Sequence, residues 1–129
     1  NFSLQRTAAD DRARNDIAKV FEFYTKSLTK DYQASTTAGD FNASSEEQNV
    51  ESAIKTVTSA TLSGVQIIDH WEHPYRNEMF SLARLDLEKF KENLDRYKEL
   101  SEAVRNAVKQ RADKLHEEME GEVLKKENR

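Results

Sequence analysis

The sequence has no cysteine, one proline and three glycines. Without cysteine, neither a disulfide framework nor a thiolate metal site can form within these 129 residues. The longest apolar runs are only a few residues long, far below the roughly 20 that a membrane-spanning helix needs. The net charge of -4 gives no general attraction to nucleic acid or anionic membranes. The length suits one domain with a modest core, and the 34% of charged residues predicts that part of the chain is a solvated element.

The first third of the chain predicts a helix followed by a long strand. Apolar residues recur every three to five positions from Leu4 to Val20, with Ser3 as a candidate N-cap. From Val20 the segment VFEFYTKSLTKDYQAST is rich in aromatic and β-branched residues, and apolar side chains alternate with others around Phe21 and Phe23. We therefore expect a strand here, ending at a polar loop over 36–45.

A second helix is predicted to begin near Ser45. Ser44 and Glu47 have the spacing of a capping box, in which each side chain accepts from a backbone N–H left free in the first turn. Apolar residues over 50–57 continue at helical spacing. Gly64 is the predicted C-terminal stop.

Two short apolar runs on either side of a polar turn predict a β-hairpin. The runs are Val65 to Trp71 and Met79 to Leu85, and the turn covers His73 to Asn77. Neither run alternates cleanly between apolar and polar residues, so we expect a sheet that is covered on both faces or that has one face occupied by a partner. Simple alternation would place four side chains of the first strand on one face: Val65, Ile67, Asp69 and Trp71.

A long last helix is predicted from Leu87 to about Lys125, with Asp86 as its N-cap. At about 1.5 Å per residue it would span roughly 55 to 60 Å, so its far end should project or pack on a partner. Residues 1–94 are thus predicted to form the domain and residues 95–129 the continuation of this helix. Self-association through the helix is the favoured hypothesis, and folding back onto the body is the alternative. The residues expected to carry the interaction are Phe90, Leu94, Tyr97, Val104 and Val108.

The hairpin also carries a family resemblance. Gly64 with Val65, the DHW segment from Asp69, and FSLARLD from Phe80 follow one another in an order that resembles a bacterial envelope family. That family is typified by the twenty-kilodalton Lpp lipoprotein of Helicobacter, and its domain also occurs in flagellum-associated outer-membrane proteins. The upstream RTAADDRARNDIAKV is similar to the family's charged first helix, so the resemblance covers about residues 6–94. The signature residues are Gly64, Val65, Asp69, Trp71, Phe80, Leu82, Leu85 and Asp86.

The resemblance and the predicted elements together imply a fold and a location. The fold is α+β in the order α-β-α-β-β-α, with helices packed on a small curved antiparallel sheet of dodecin-like or SHS type and a long C-terminal helix. The location is the periplasmic side or surface of the outer membrane, reached through a lipidated Cys upstream of the domain. Because the sequence begins with Asn1 rather than Met, we expect that anchor in a preceding segment, where the family also has a further strand.

The residues themselves do not favour a chemical site. His70 and His73 are three apart and would point to opposite faces of a strand, so they could bind a metal together only if the chain turned between them. Asp69 and Asp86 could act as acid and base only if burial or proximity separated their pKa values. The simpler roles are a cross-strand pair of Asp69 with Arg84 and an N-cap at Asp86. No catalytic, metal or cofactor site is predicted.

The sequence therefore predicts a non-enzymatic envelope lipoprotein domain that acts through protein–protein contacts. Its role would be structural or in assembly, associated with the flagellum or the cell surface. Its partners would be envelope proteins or a second copy, and not nucleic acid. The alternative is a small-ligand binding module in which aromatic side chains of the sheet hold a flat ligand, although aromatics at strand spacing more often form core. The aromatic residues concerned are Phe21, Phe23, Tyr24, Trp71, Tyr75 and Phe80.

Overall fold

The computed structural model describes the backbone of residues 2–36 and 43–127, and the side chains of residues 2–34 and 48–121. Within these ranges the chain forms four helices and one two-stranded antiparallel sheet. The helices are α1 (Phe2–Thr36), α2 (Ala43–Leu62), α3 (Leu87–Arg96) and α4 (Glu102–Glu127). The strands are β1 (Gln66–Glu72) and β2 (Met79–Arg84).

The predicted order α-β-α-β-β-α is wrong, because the segment expected to be the first strand is helical. α1 continues without a break to Thr36. Its second half buries side chains at steps of three and four, which is the spacing of a helix face. These side chains are Phe21, Tyr24, Leu28 and Tyr32. Packing of this face outweighs the local strand preference of aromatic and β-branched residues. The dodecin-like or SHS-type sheet is wrong as well, since the described residues contain only two strands.

The predicted continuous last helix is also wrong. α3 ends at Arg96, where the backbone N–H of Tyr97 donates to the carbonyl of Leu94 at 3.0 Å. The side-chain oxygen of Ser101 then accepts from the backbone N–H of Val104 at 3.2 Å, the bond of an N-cap at the start of α4. The two helices therefore form a helical hairpin, and α4 folds back on the body.

Two predicted helix boundaries agree with the structure. Asp86 is the N-cap of α3, with its carboxylate accepting from the backbone N–H of Glu88 at 3.0 Å. α2 ends at Leu62, and the N–H of Gly64 donates to the carbonyl of Thr61 at 3.1 Å in the following turn. α2 begins at Ala43 rather than near residue 45. The side chains of the predicted capping pair, Ser44 and Glu47, lie outside the described residues.

A hydrophobic core joins all four helices. Its fully buried members include Leu28, Ile54, Phe90, Leu94 and Val108. The rings of Phe21 and Phe90 meet edge to face with centroids 5.5 Å apart, an arrangement that aromatic quadrupoles favour. Tyr24 donates its hydroxyl to the carbonyl of Ala112 at 2.8 Å, which fixes α4 to α1. Because Val108 and Ala112 belong to this core, residues beyond 94 pack on the same body as the residues before it.

Candidate functional site

The hairpin forms within one residue of the predicted bounds. Trp71 lies opposite Phe80, and His70 lies opposite Ser81. A bulge between Ile67 and Asp69 inserts one extra residue into β1. Since directly opposite residues share a face, the bulge moves Ile67 to the face opposite that of Asp69 and Trp71. The predicted grouping of all these residues on one face is therefore wrong.

The inner face of the hairpin is tied to α1. The hydroxyl of Ser81 donates to the Oδ1 atom of Asp10 at 2.5 Å, and Nε2 of His70 lies 2.8 Å from the same oxygen. The hydrogen bond from Ser81 lowers the pKa of the Asp10 carboxyl, and partial burial opposes this effect. The hydrogen bond with His70 and the charges of His70 and Arg14 lower the pKa further. The inner face is therefore the face that fixes the hairpin to the body.

Asp10, Ser81 and His70 are the residue types of a nucleophilic triad, but their arrangement differs from one. In a triad the histidine lies between the carboxylate and the serine, so that it can take the hydroxyl proton. Here the carboxylate lies between the other two, and no hydrogen bond joins His70 to Ser81 among the described side chains. The geometry is that of a tether between α1 and the hairpin.

The outer face of the hairpin is apolar and open. Four large side chains there are close to half exposed: Ile68 at 50%, Trp71 at 55%, Phe80 at 45% and Leu82 at 56%. Trp71 and Phe80 contact each other with ring centroids 5.4 Å apart. We define the outer face as these four side chains with Asp69, which lies opposite Leu82, and with Glu78 and Arg84 at the two ends of β2. A contiguous exposed apolar patch with a polar rim is typical of a contact site.

The turn of the hairpin is organised by His73. Its Nδ1 atom accepts from the backbone N–H groups of Tyr75 and Arg76, both at 3.1 Å. Its own backbone N–H donates to the carbonyl of Glu78 at 3.0 Å. His70 faces α1 instead, so the two histidines have separate structural roles. Within the ranges described, no group of three side chains is placed to hold a metal ion.

Four of the signature residues have structural roles in the fold. Gly64 and Val65 form the turn after α2, Leu85 packs against the core, and Asp86 caps α3. The predicted pair of Asp69 with Arg84 is not formed, because the register places Asp69 opposite Leu82. The Asp69 carboxylate accepts from the backbone N–H of His70 at 2.8 Å instead.

The helix residues predicted to carry self-association are used by the chain's own core. Phe90, Leu94 and Val108 are 0% exposed. Tyr97 and Val104 are partly buried against the same core. A partner cannot reach Phe90, Leu94 and Val108 while the chain is folded. The exposed apolar surface is therefore not formed by these residues of α3 and α4.

The aromatic residues of the ligand-binding alternative do not converge. Phe21 and Tyr24 are buried in the helical core, and Phe23 is exposed on α1. Trp71 and Phe80 lie on the outer face of the hairpin instead. The structure thus divides this set between separate surfaces.

Asp10 and the division between the inner and outer faces of the hairpin were not predicted from the sequence. Asp10 belongs to a run of charged residues that is typical of a solvated helix face, and only its pairing with Ser81, 71 positions away, distinguishes it.

In the ranges that the structure covers, no helix has the length and apolar character needed to cross a bilayer. No protein-family model, curated protein or solved structure matches this chain.

Proposed function

We propose that the chain is a non-enzymatic domain of the bacterial cell envelope that works through protein–protein contacts, with the outer face of the hairpin as its contact surface. This proposal rests on the solvent exposure of four large apolar side chains on the outer face, Ile68, Trp71, Phe80 and Leu82. Leaving such side chains in water forgoes the stabilisation that their burial would provide. A partner that covered them would recover it.

The hairpin is anchored to the body in a way that leaves its outer face free for a partner. An isolated two-stranded sheet is marginally stable in water. Here the contacts of the inner face with Asp10 hold the hairpin in place without using the outer face. Contact surfaces concentrate their binding energy in aromatic anchors, and Trp71 and Phe80 lie side by side at the centre of this one.

The envelope location rests on the resemblance of the hairpin to the Lpp-type lipoprotein family. It extends the proposal to a lipid-anchored protein with a structural or assembly role, associated with the flagellum or the cell surface. Labelling cells that make the full-length protein with an alkyne analogue of palmitate tests this part. Incorporation into the protein supports the anchor, and its absence would remove the lipoprotein assignment while leaving the contact surface standing.

A site-specific photo-crosslinker tests the contact surface. Placed at Leu82 in the full-length protein in cells, it should give covalent adducts of higher mass, because this position is exposed on the outer face. The matched control is Asn106, which is exposed on α4. Adducts at Asn106 but none at Leu82 would contradict the proposal.

A further inference from the structure

We infer that the partner of the outer face is a second copy of this chain, stacked face to face. The two-fold axis lies between the two sheets, parallel to their planes and perpendicular to the strands. This inference rests on the proposed function, because it names the partner of the same surface. It is carried by the pattern of charged and apolar side chains along β2.

The outer-facing row of β2 reads acid, apolar, apolar, base. Alternation along the strand places Glu78, Phe80, Leu82 and Arg84 on the same side, and all four are exposed. Glu78 precedes the strand by one residue. Its carbonyl still accepts from the backbone N–H of His73 at 3.0 Å, so the extended pairing of the hairpin reaches it.

A two-fold axis at Ser81 makes this row complementary to itself. The axis reverses the strand, so Glu78 faces Arg84 of the second copy and Phe80 faces Leu82 of the second copy. Sheets that stack in this way lie about 10 Å apart, with the side chains of both inner surfaces filling the space between them. Along β2, two apolar contacts then lie at the centre and two acid–base pairs close the ends. Along β1, Trp71 faces Asp69 of the second copy.

The charges at the ends of the row are available for such pairs. Neither Glu78 nor Arg84 forms an ion pair with another described side chain of its own chain. In the stacked arrangement α1 remains on the far side of each sheet, because Asp10 on α1 binds the inner face. α1 of one copy therefore does not block the approach of the other.

Other arrangements fit the face less well. An axis parallel to the strands would place Glu78 over the turn of the second copy, away from Arg84. Pairing along the free edge of β1 is disfavoured by the bulge at Ile67 to Asp69, since bulges interrupt regular strand addition. An anionic lipid surface is disfavoured because Asp69 and Glu78 outnumber Arg84 among the charges of the outer face.

Charge reversal and mixing test this pairing. In sedimentation equilibrium at low salt, the wild-type chain should dimerise, and Glu78→Arg or Arg84→Glu should each raise the dissociation constant by at least about tenfold, because both end pairs become repulsive. An equimolar mixture of the two variants should dimerise again, since each reversed side chain then faces an opposite charge. The double variant should also recover. Glu22→Arg, an exposed reversal on α1, is the control and should leave dimerisation unchanged.

Several results would overturn the inference. They are a wild-type chain that stays monomeric at high concentration, single variants that dimerise as well as the wild type, or a mixture that does not recover. Circular dichroism melts of each variant separate loss of pairing from loss of folding. If the wild-type chain is monomeric while Leu82 still crosslinks to a different protein in cells, the self-pairing fails and the proposed contact surface stands.

Discussion

Asp10 and Ser81 lie 71 positions apart in the sequence and are joined by a hydrogen bond of 2.5 Å from the serine hydroxyl to the carboxylate. His70, directly opposite Ser81 on the neighbouring strand, reaches the same carboxylate oxygen. One carboxylate therefore holds both strands against α1. The side chains of Trp71 and Phe80 lie on the face opposite to this contact.

The first prediction concerns this tether. Asp10→Ala should increase the rate of amide hydrogen exchange in β1 and β2 several-fold, because the hairpin loses its hydrogen bonds to the Asp10 carboxylate. Exchange in α2 should not change, because the helical core is intact. Hydrogen exchange followed by mass spectrometry measures both regions in one experiment. Ser27→Ala, which removes a hydroxyl bonded only to the carbonyl one turn before it in α1, is the control. Equal exchange in the hairpin of Asp10→Ala and wild type would show that the tether does not hold it.

The second prediction is a pH dependence of stability. The pKa of Asp10 is lowered from its ordinary 3.8, first by the Ser81 hydrogen bond. A carboxyl whose pKa is lower in the folded state stabilises the fold above its unfolded pKa, and this contribution disappears as the pH falls through the folded pKa. Asp10→Asn should therefore lose less stability than wild type when the pH is lowered from about 5 towards 2.

Urea midpoints at several pH values measure this difference. Part of the acid sensitivity should remain in Asp10→Asn, because a hydrogen bond from Lys109 also lowers the pKa of Asp95. Parallel curves for the variant and the wild type would mean that the Asp10 carboxylate is not coupled to folding.

The third prediction separates core from contact surface. Phe90→Ala should lower the free energy of unfolding by about 3 to 5 kcal/mol, because it removes a fully buried ring that contacts Phe21. Leu82→Ala should cost under about 1 kcal/mol, since its side chain is more than half exposed. Urea denaturation of both variants at low concentration measures this contrast. If Leu82→Ala is as destabilising as Phe90→Ala, the outer face is part of the folding core.

The fourth prediction concerns the attachment of α4. Tyr24→Phe removes the hydroxyl that donates to the carbonyl of Ala112 at 2.8 Å and leaves the ring in place. It should lower the free energy of unfolding by about 0.5 to 1.5 kcal/mol, the usual net value of a hydrogen bond. The urea midpoint measures it, and an unchanged midpoint would show that this bond does not fix α4.

Local patterns predicted the hairpin and the Asp86 cap, because strand alternation, turn residues and capping are set by neighbours in the sequence. The second half of α1 was not predicted. Phe21 and Phe23 alternate with polar residues as in a strand. The residues that are buried, Phe21, Tyr24 and Leu28, have helical spacing instead, and they pack against helices that are distant in the sequence. The break between α3 and α4 was not predicted, because the short turn at Tyr97 lacks glycine and proline. Folding back of this segment onto the body was the alternative to self-association.

The open face could not be assigned from the sequence either. One extra residue between Ile67 and Asp69 shifts every later side chain of β1 relative to simple alternation. Only the observed register shows that Trp71 and Phe80 share the face that points away from α1. The candidate contact surface therefore depends on a feature that no local pattern signals.

The most direct test of the outer face as a contact surface uses Trp71, the only tryptophan of the chain. Acrylamide quenching of its fluorescence reports how open the outer face is. We predict strong quenching in dilute solution, where the side chain is 55% exposed, and weaker quenching as the chain is concentrated and the face becomes covered. Weak quenching at every concentration would contradict an open outer face. Strong quenching that concentration does not change would contradict the self-pairing and leave the face to a different partner.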